Sequence, residues 1–516
     1  MRSKLVFHID ARDVPALISH ALLNRYTLAQ SDVAEITEIY YDTPALLLKS
    51  RGADLSLQTN QLRWIQSLNI NAENNSSNFT GGIIHWSNSS VYVASGQLDL
   101  SLISTADLLQ SGLTETSALD GQFYQLQEIF RAKYCQRVWL LQFPDGSQAS
   151  CAFNLGNTGS ATQCAKFCEL EFELHNGDML QLFDFIDTVL QYLPLTVQRL
   201  CRKEQGYALY RPQAVSATFT RHLNLIPELP INEALARIVS DCLVQIQSNQ
   251  AGVALWRNQE CLHQMRIGLR RLSAAERLGK KIQPFPDQVR EEVKWLDTQL
   301  GKARDWDVFT AKSLPQLLKL RATKPAEPLL NKTLLRAACA KARNANANVS
   351  ATLTGPRYAR LILNLLRWQF CLSAQTVQTK DHTNLIRFSH QIIKYNLERL
   401  EKGSLHAERL HTTELHRLRK KIKTLRYTVD FFSALYQHKP MQQWMKSLAD
   451  LQDLLGACND IAVCVQLVHE LLPDYPELQP VAHSAATMLK RQTESSKPSI
   501  SKSLTKLRRT ELLMRR

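Results

Sequence analysis

The chain has 516 residues, 44% apolar and 21% charged, a composition typical of globular domains that excludes disordered and fibrous classes. Its 62 Lys and Arg against 47 Asp and Glu leave a formal charge of +15, so an anionic partner is the first expectation. The excess is unevenly placed: residues 1–220 carry 15 basic and 21 acidic side chains, a balance of −6, whereas residues 221–516 carry 47 and 26, a balance of +21.

In chain order, Val14–Asn24 reads as helical, Ile36–Tyr41 as a strand, and the Asn/Ser-rich stretch Asn69–Ser90 as a long exposed loop. Val91–Val93, Val138–Phe143 and Phe167–Leu174 follow as strands, and Leu180–Gln191 as a helix. The first half is therefore expected to be a mainly antiparallel α+β domain over 1–210. Glu169, Glu171 and Glu173 fall on one strand face by alternation, where they could take a divalent cation such as Mg²⁺ or Mn²⁺. A Pro-punctuated segment, 211–230, reads as a linker. Eleven scattered cysteines without a CxxC pair favour reduced thiols and a cytoplasmic setting, with association with polyphosphate granules as a further expectation. Neither a signal peptide nor a membrane span is expected.

From 231 to 510 the pattern is all helical and contains an internal repeat. Leu262–Leu272 resembles Leu415–Leu425, and Leu300–Val308 resembles Leu455–Val463, with His263 and Asp305 separated much as His416 and Asp460 are. Two helical bundles related by an approximate twofold follow as the expected architecture. At about 100° per residue, His263, Arg266, Arg270, Arg277 and Lys281 share one narrow helix sector. His416, Arg419, Lys420, Lys423, Arg426 and Tyr427 share a second, with Arg417 and Lys421 turned away from it. Arg357, Arg360 and Arg367 form a third stripe, and Arg387 with Lys394 a fourth candidate. Like charges stacked on a helix repel, so each stripe calls for an opposing anion or carboxylates. His263 and His416 are read as ring-bonded to acids such as Asp305 and Asp460, or as phosphate contacts strengthened below about pH 6.5.

Arg and Lys rows with few interleaved aromatics suit a linear polyanion read through its phosphoryl oxygens. No motif for sequence-specific nucleic-acid recognition is present. The paired His-x-x-Arg and Arg-Asp-x-Asp segments, with Leu425-Arg-Tyr427, resemble the conserved-histidine α-helical domain (CHAD) family over about 228–510. That resemblance implies two bundles meeting at a basic channel for inorganic polyphosphate, with His263, Arg266, Arg270, His416, Arg419, Lys420, Lys423 and Arg426 as contacts. Arg277 and Arg360 join the candidate set from their stripes.

In the first half, Tyr40–Leu55, Glu169–Gly177 and Cys201–Tyr207 resemble the CYTH, or triphosphate-tunnel, family. This implies an antiparallel β-barrel whose inward cations cradle a triphosphate and whose glutamates hold Mg²⁺ or Mn²⁺ for phosphoryl transfer. The chain departs from that pattern: Lys4, Val6 and His8 stand for Glu-x-Glu-x-Lys, Leu55–Gln58 lacks Arg-x-Arg, Ser67–Asn69 lacks the later Lys, Asn154 replaces a strand acid, and Gln205 the closing Arg. Arg137, with Arg131 or Lys133, is the remaining basic set. The leading expectation is a polyphosphate binder with a degenerate CYTH-like domain; the alternative is a divalent-metal-dependent inorganic triphosphatase served by a polyphosphate-recruiting helical half.

Overall fold

The computed structural model describes residues 2–59, 63–71, 84–93, 97–99, 101, 126–160, 163–197, 201–211, 216–280, 282–321, 328–374, 385–401 and 410–514. They form two compact units, Met1–Ser216 with Thr352–Phe370, and Ala217–Ala351 with Cys371–Arg516.

The first unit is an antiparallel sheet of β1 (Arg2–His8), β2 (Thr27–Gln30), β3 (Ala34–Asp42), β4 (Ala53–Thr59), β5 (Trp64–Asn71), β6 (Ile84–Val93), β7 (Gln127–Gln142), β8 (Gln148–Gly159), β9 (Cys164–Asn176) and β10 (Thr196–Val197). The main order runs β6-β5-β4-β3-β7-β8-β9, and β1 pairs with both β6 and β9. The expected loop at Asn69–Ser90 is corrected at its two ends: Trp64–Asn71 and Ile84–Val93 pair in register, Ser67 opposite Ser90 and Asn69 opposite Asn88. Ladder hydrogen bonds override the weak strand preference of Asn and Ser; residues 72–83 lie outside the described set.

Alternation divides this sheet into two unlike faces. Leu5, Phe7, Leu55, Leu57, Trp139, Leu141, Leu170 and Phe172 are buried on the apolar face. There α1 (Met179–Tyr192), capped by the Asp178 side chain, sets Phe185 edge-on to Phe172. The other face is polar yet also buried, carrying Glu38, Asp54, Ser56, Asn154, Glu169 and Glu171. A second helix, α2 (Arg202–Tyr210), lies against β7, β8 and β9.

The second unit is helical: α3 (Ile231–Ser248), α4 (Gln259–Gly279), α5 (Asp287–Val308), α6 (Leu314–Arg321), α7 (Pro328–Leu353), the end of α8 (Pro356–Ala374), α9 (Leu385–Glu401), α10 (Thr412–Phe432), α11 (His438–Leu471) and α12 (Gln479–Met514). Asn258 caps α4 by accepting from the Glu260 and Cys261 amides, and Glu414 returns to the His411 amide at the start of α10. Between α5 and α6 the chain makes a π-helical turn, Phe309–Ser313. The segment 217–230 has no helix or strand, but Asn249 fastens its Thr218 backbone through both amide groups.

Helix α11 is the spine of two apolar cores. Its first half, including Trp444, Leu448, Leu451 and Leu455, packs with α9, α10 and α12. Its second half, including Cys464, Leu467, Val468 and Leu471, packs with Trp306, Phe309, Leu317 and Leu334. Residues Lys439–Leu471 are long enough to cross a membrane and contain an 18-residue window with a mean hydropathy of 1.3; here their apolar side chains fill those cores.

Candidate functional site

Helix α4 packs on α3, α5 and α10, and α10 packs on α11. Gly268 permits the close approach of α4 to α3, because a Cβ there would stand 2.8 Å from Ile246. The apolar residues Met265, Leu269 and Leu272 of α4, and Leu418, Ile422 and Leu425 of α10, are buried. The remaining sectors bring two basic rows together.

Arg271 holds these rows in place. Its buried guanidinium donates to Asp241 at 2.8 Å and Gln245 at 2.9 Å on α3, lies 3.9 Å from Asp430 on α10, and sits 5.2 Å from the Phe431 ring centroid. Sequence reasoning missed Arg271, which stands beside the stripe and points inward. Its signal was an Arg in an apolar helix sector with an acid, Asp241, on the preceding helix.

The neighbouring cations are not neutralised in this way. Arg266 reaches Asp305 only at 3.4 Å and Asp297 at 4.0 Å. Among the described residues no ion pair involves Arg270, Arg419, Lys420 or Lys423. Burial, then the charges of Arg270, Arg419 and Arg266, push the Lys423 ammonium down to about 6. Burial and Arg270 likewise lower Arg419 and Arg266. Burial followed by Arg304, Lys423 and Arg266 depresses His263 to about 4. His263 is therefore neutral near pH 6.5, which corrects the expected protonation switch. His416 is exposed, and its Nδ1 meets Asn459 Oδ1 at 2.7 Å rather than an acid.

These helices line a cavity of about 1300 Å³. It brings together Arg270, Arg277, His416, Arg419, Lys420 and Lys423 of the expected set, and adds Lys280, Lys294, Arg399 and Lys421. Asp297 is the single carboxylate among the described lining residues. Lys421 was expected to turn away, yet its Nζ reaches the Arg399 carbonyl at 2.9 Å across the cavity wall. Lys294 and Arg399 lie outside the repeated motifs, which is why the repeat did not reveal them. Arg277 crosses to Thr424 at 3.2 Å, and Arg426 turns to Gln452 at 3.2 Å instead of lining the cavity. Lys281 lies outside the described residues.

Arg360 is placed differently from its expected role. In the first unit its guanidinium faces Asp187 at 3.3 Å, and Arg367 faces Asp184 at 2.6 Å. The third stripe is thus met by carboxylates of α1, whose three-residue spacing puts both on one face.

In the first unit, the register sets Lys4, Val6 and His8 opposite Glu173, Glu171 and Glu169. Arg202, at the start of α2, enters the polar face. It donates through Nη1 to Glu169 at 2.9 Å and to Glu171, through Nε to Glu38 at 3.2 Å, and rests 4.9 Å from the Tyr134 ring centroid. Glu169 also accepts from the Arg202 amide at 2.8 Å, and Lys4 donates to Glu171 at 2.7 Å. Alongside, Lys203 meets Asp54 at 2.6 Å, and Gln136 donates to Asn154 at 2.8 Å. Gly206 lets α2 lie this close, because a Cβ there would collide with the Phe130 ring.

Burial opposes ionisation of Glu171, but Lys4 and Arg202 outweigh it and hold the carboxyl at about 2. For Glu169 burial wins and its carboxyl is raised. The Glu169, Glu171 and Glu173 set does not fit Mg²⁺ or Mn²⁺: Arg202 and Lys4 occupy the oxygens of the two buried glutamates, and no group of three or more His, Cys, Asp or Glu able to hold a metal occurs among the described residues. The remaining basic set is also corrected. Arg131 and Lys133 are exposed on the strand side away from Gln136, and Arg131 pairs with Glu128 at 2.6 Å. Arg137 follows the same alternation.

Two basic helices joined through a buried arginine, each backed by an acid-bearing helix, define the class of helical domain. The CHAD domain family model matches residues 237–469. The crystal structure of the CHAD domain from the plant Ricinus communis is 30% identical, with a TM-score of 0.51, covering 57% of this chain and 97% of that one. The chain belongs to the CHAD family. Solved structures also include a Hippeastrum protein described as a proposed adenylyl cyclase with a dominant triphosphatase activity, 12% identical with a TM-score of 0.26 over 38% of this chain and 91% of that one. A proposed adenylate cyclase from Bacillus halodurans is 15% identical with a TM-score of 0.23, over 36% of this chain and 87% of that one. No curated protein sequence matches the chain.

Proposed function

We propose that the helical unit binds inorganic polyphosphate along α4 and α10, and that the sheet unit is a triphosphate-tunnel-like barrel without metal-dependent hydrolysis. The observation that carries the reading is the gathering of Arg270, Arg419, Lys420 and Lys423 around one cavity, where burial and then the charges of Arg270, Arg419 and Arg266 depress Lys423, and burial and then Arg270 depress Arg419 and Arg266. Two like charges 8 Å apart at an effective dielectric of 20 repel by about 2 kcal/mol. A polyanion reverses the sign of that interaction, so strain in the empty site becomes attraction in the filled one. A flexible phosphate chain can thread between two helices and offer oxygens to forked Arg and to Lys in succession.

Several features support the finer architecture. The repeated His263–Asp305 and His416–Asp460 segments fit two pseudo-twofold bundles, and the pairing of β1 with both ends of the strand order fits a barrel. Within the barrel, Arg202 and Lys4 satisfy the carboxylates that metal chemistry would require. Competition tests the ligand: long-chain polyphosphate is expected to displace labelled duplex DNA at equal phosphate concentration. Displacement of polyphosphate by DNA would overturn the assignment.

A further inference from the structure

The cavity between α4, α9 and α10 has walls of opposite character. Arg270, Arg277, Arg419, Lys420 and Lys423 form one wall, while Phe388, Ile392 and Tyr395 of α9 form another. On α9 the residues 388, 392, 395 and 399 recur at helical spacing and present a single stripe. Tyr395 is 57% exposed, and the Arg399 guanidinium stands 5.5 Å from its ring centroid. An inorganic phosphate chain has no surface that an apolar or aromatic wall can recognise. A further polar group is equally unsuited to it: Asp297 lines the cavity with a side chain that is 43% exposed, and its Oδ1 faces Arg266 Nε at 4.0 Å. Phosphate oxygens repel such an acceptor, whereas a ribose hydroxyl or an exocyclic amine donates to one.

We propose that this cavity takes a nucleoside polyphosphate, its phosphates on the cationic wall of α4 and α10 and its base against Ile392 and Tyr395. This rests on the phosphate-chain reading given above and names a ligand class for the same site. A single exposed aromatic suits one base rather than a strand of nucleic acid, which needs a succession of stacking platforms. Base–aromatic stacking is worth about 1–3 kcal/mol, which corresponds to about a 5- to 150-fold gain in affinity.

Titration calorimetry with adenosine 5′-tetraphosphate and inorganic tetrapolyphosphate, at equal phosphate number and low salt, tests it. Adenosine tetraphosphate is expected to bind at least 5-fold more tightly, and Tyr395→Ala is expected to remove the difference while inorganic tetrapolyphosphate binds as before. Tyr395 is surface-exposed, so its truncation leaves the core intact; circular dichroism and the melting temperature confirm this. Equal affinities in the unaltered protein, or a preference that survives Tyr395→Ala, would overturn the nucleoside subsite while leaving polyphosphate binding in place. Failure of both compounds and of long-chain polyphosphate to bind would overturn the underlying reading as well.

Discussion

Arg270 on α4 is the foremost charge depressing Lys423 on α10, and with burial it helps bring that ammonium to about 6. The two basic helices therefore form one electrostatic unit. Arg271, buried between Asp241 on α3 and Asp430 on α10, ties α4 to both neighbours.

The pH dependence of binding follows from Lys423. Near pH 8 the empty site holds this lysine largely neutral, and a bound polyanion favours its charged form, so binding takes up a proton. Polyphosphate affinity is expected to rise as pH falls from 8 to 6, with a smaller further rise towards pH 4 from His263. Calorimetry in buffers of different ionisation enthalpy measures the uptake directly; a proton count of zero at pH 7.5 would be inconsistent with it. Stability of the empty protein shows the complementary trend. The depressed lysine costs stability below its unfolded value of 10.5, so its contribution improves as pH rises from 6 towards 10.5.

Replacing Arg271 by Met leaves Asp241 and Asp430 without their shared cation. Loss of one partner of a buried pair costs about 3–5 kcal/mol, so the denaturation midpoint of the helical unit is expected to fall accordingly. An unchanged midpoint would show that the pair is not what fastens α4 to α10.

In the sheet unit, Glu171 contributes stability that is fully present above 4.5 and is lost as pH falls from 4.5 towards 2, because its folded carboxyl lies at about 2. Glu169 is raised, so its contribution has the opposite sign and improves as pH falls. Glu171→Gln is expected to flatten the acid limb of the unfolding curve between pH 4.5 and 2. Arg202→Ala is expected to destabilise this unit by about 3–5 kcal/mol at pH 7, with partial recovery at pH 4 as the freed carboxylates protonate. Destabilisation equal at both pH values would point to lost packing alone.

Much of this organisation was legible in the sequence. The texture change near residue 230, the duplicated basic motifs and the alternation of Glu169, Glu171 and Glu173 carry local periodicity that a single chain displays. The roles of Arg202, Arg271 and Lys294 were not legible, because each depends on a partner distant in sequence. Arg360 misled for the same reason: its stripe looked unopposed until Asp187 was placed against it. The two ends of the Asn69–Ser90 stretch misled because strand pairing there outweighed composition.

Phosphate release from tripolyphosphate with Mg²⁺ or Mn²⁺ checks the state of the sheet unit. With Arg202 and Lys4 on the buried glutamates, release is expected to stay at the uncatalysed level across a metal titration. Robust turnover abolished by Glu171→Ala would establish the triphosphatase reading instead.

Polyphosphate binding at the cationic cluster is tested most directly by the salt dependence of the Kd for long-chain polyphosphate, compared between the unaltered protein and Arg270→Glu/Arg419→Glu. Counterion release predicts a linear fall of log K with log salt. The double variant is expected to retain its helicity, bind at least 100-fold more weakly at low salt and show a flatter slope. A folded double variant with the affinity and slope of the unaltered protein would contradict the assignment of this site.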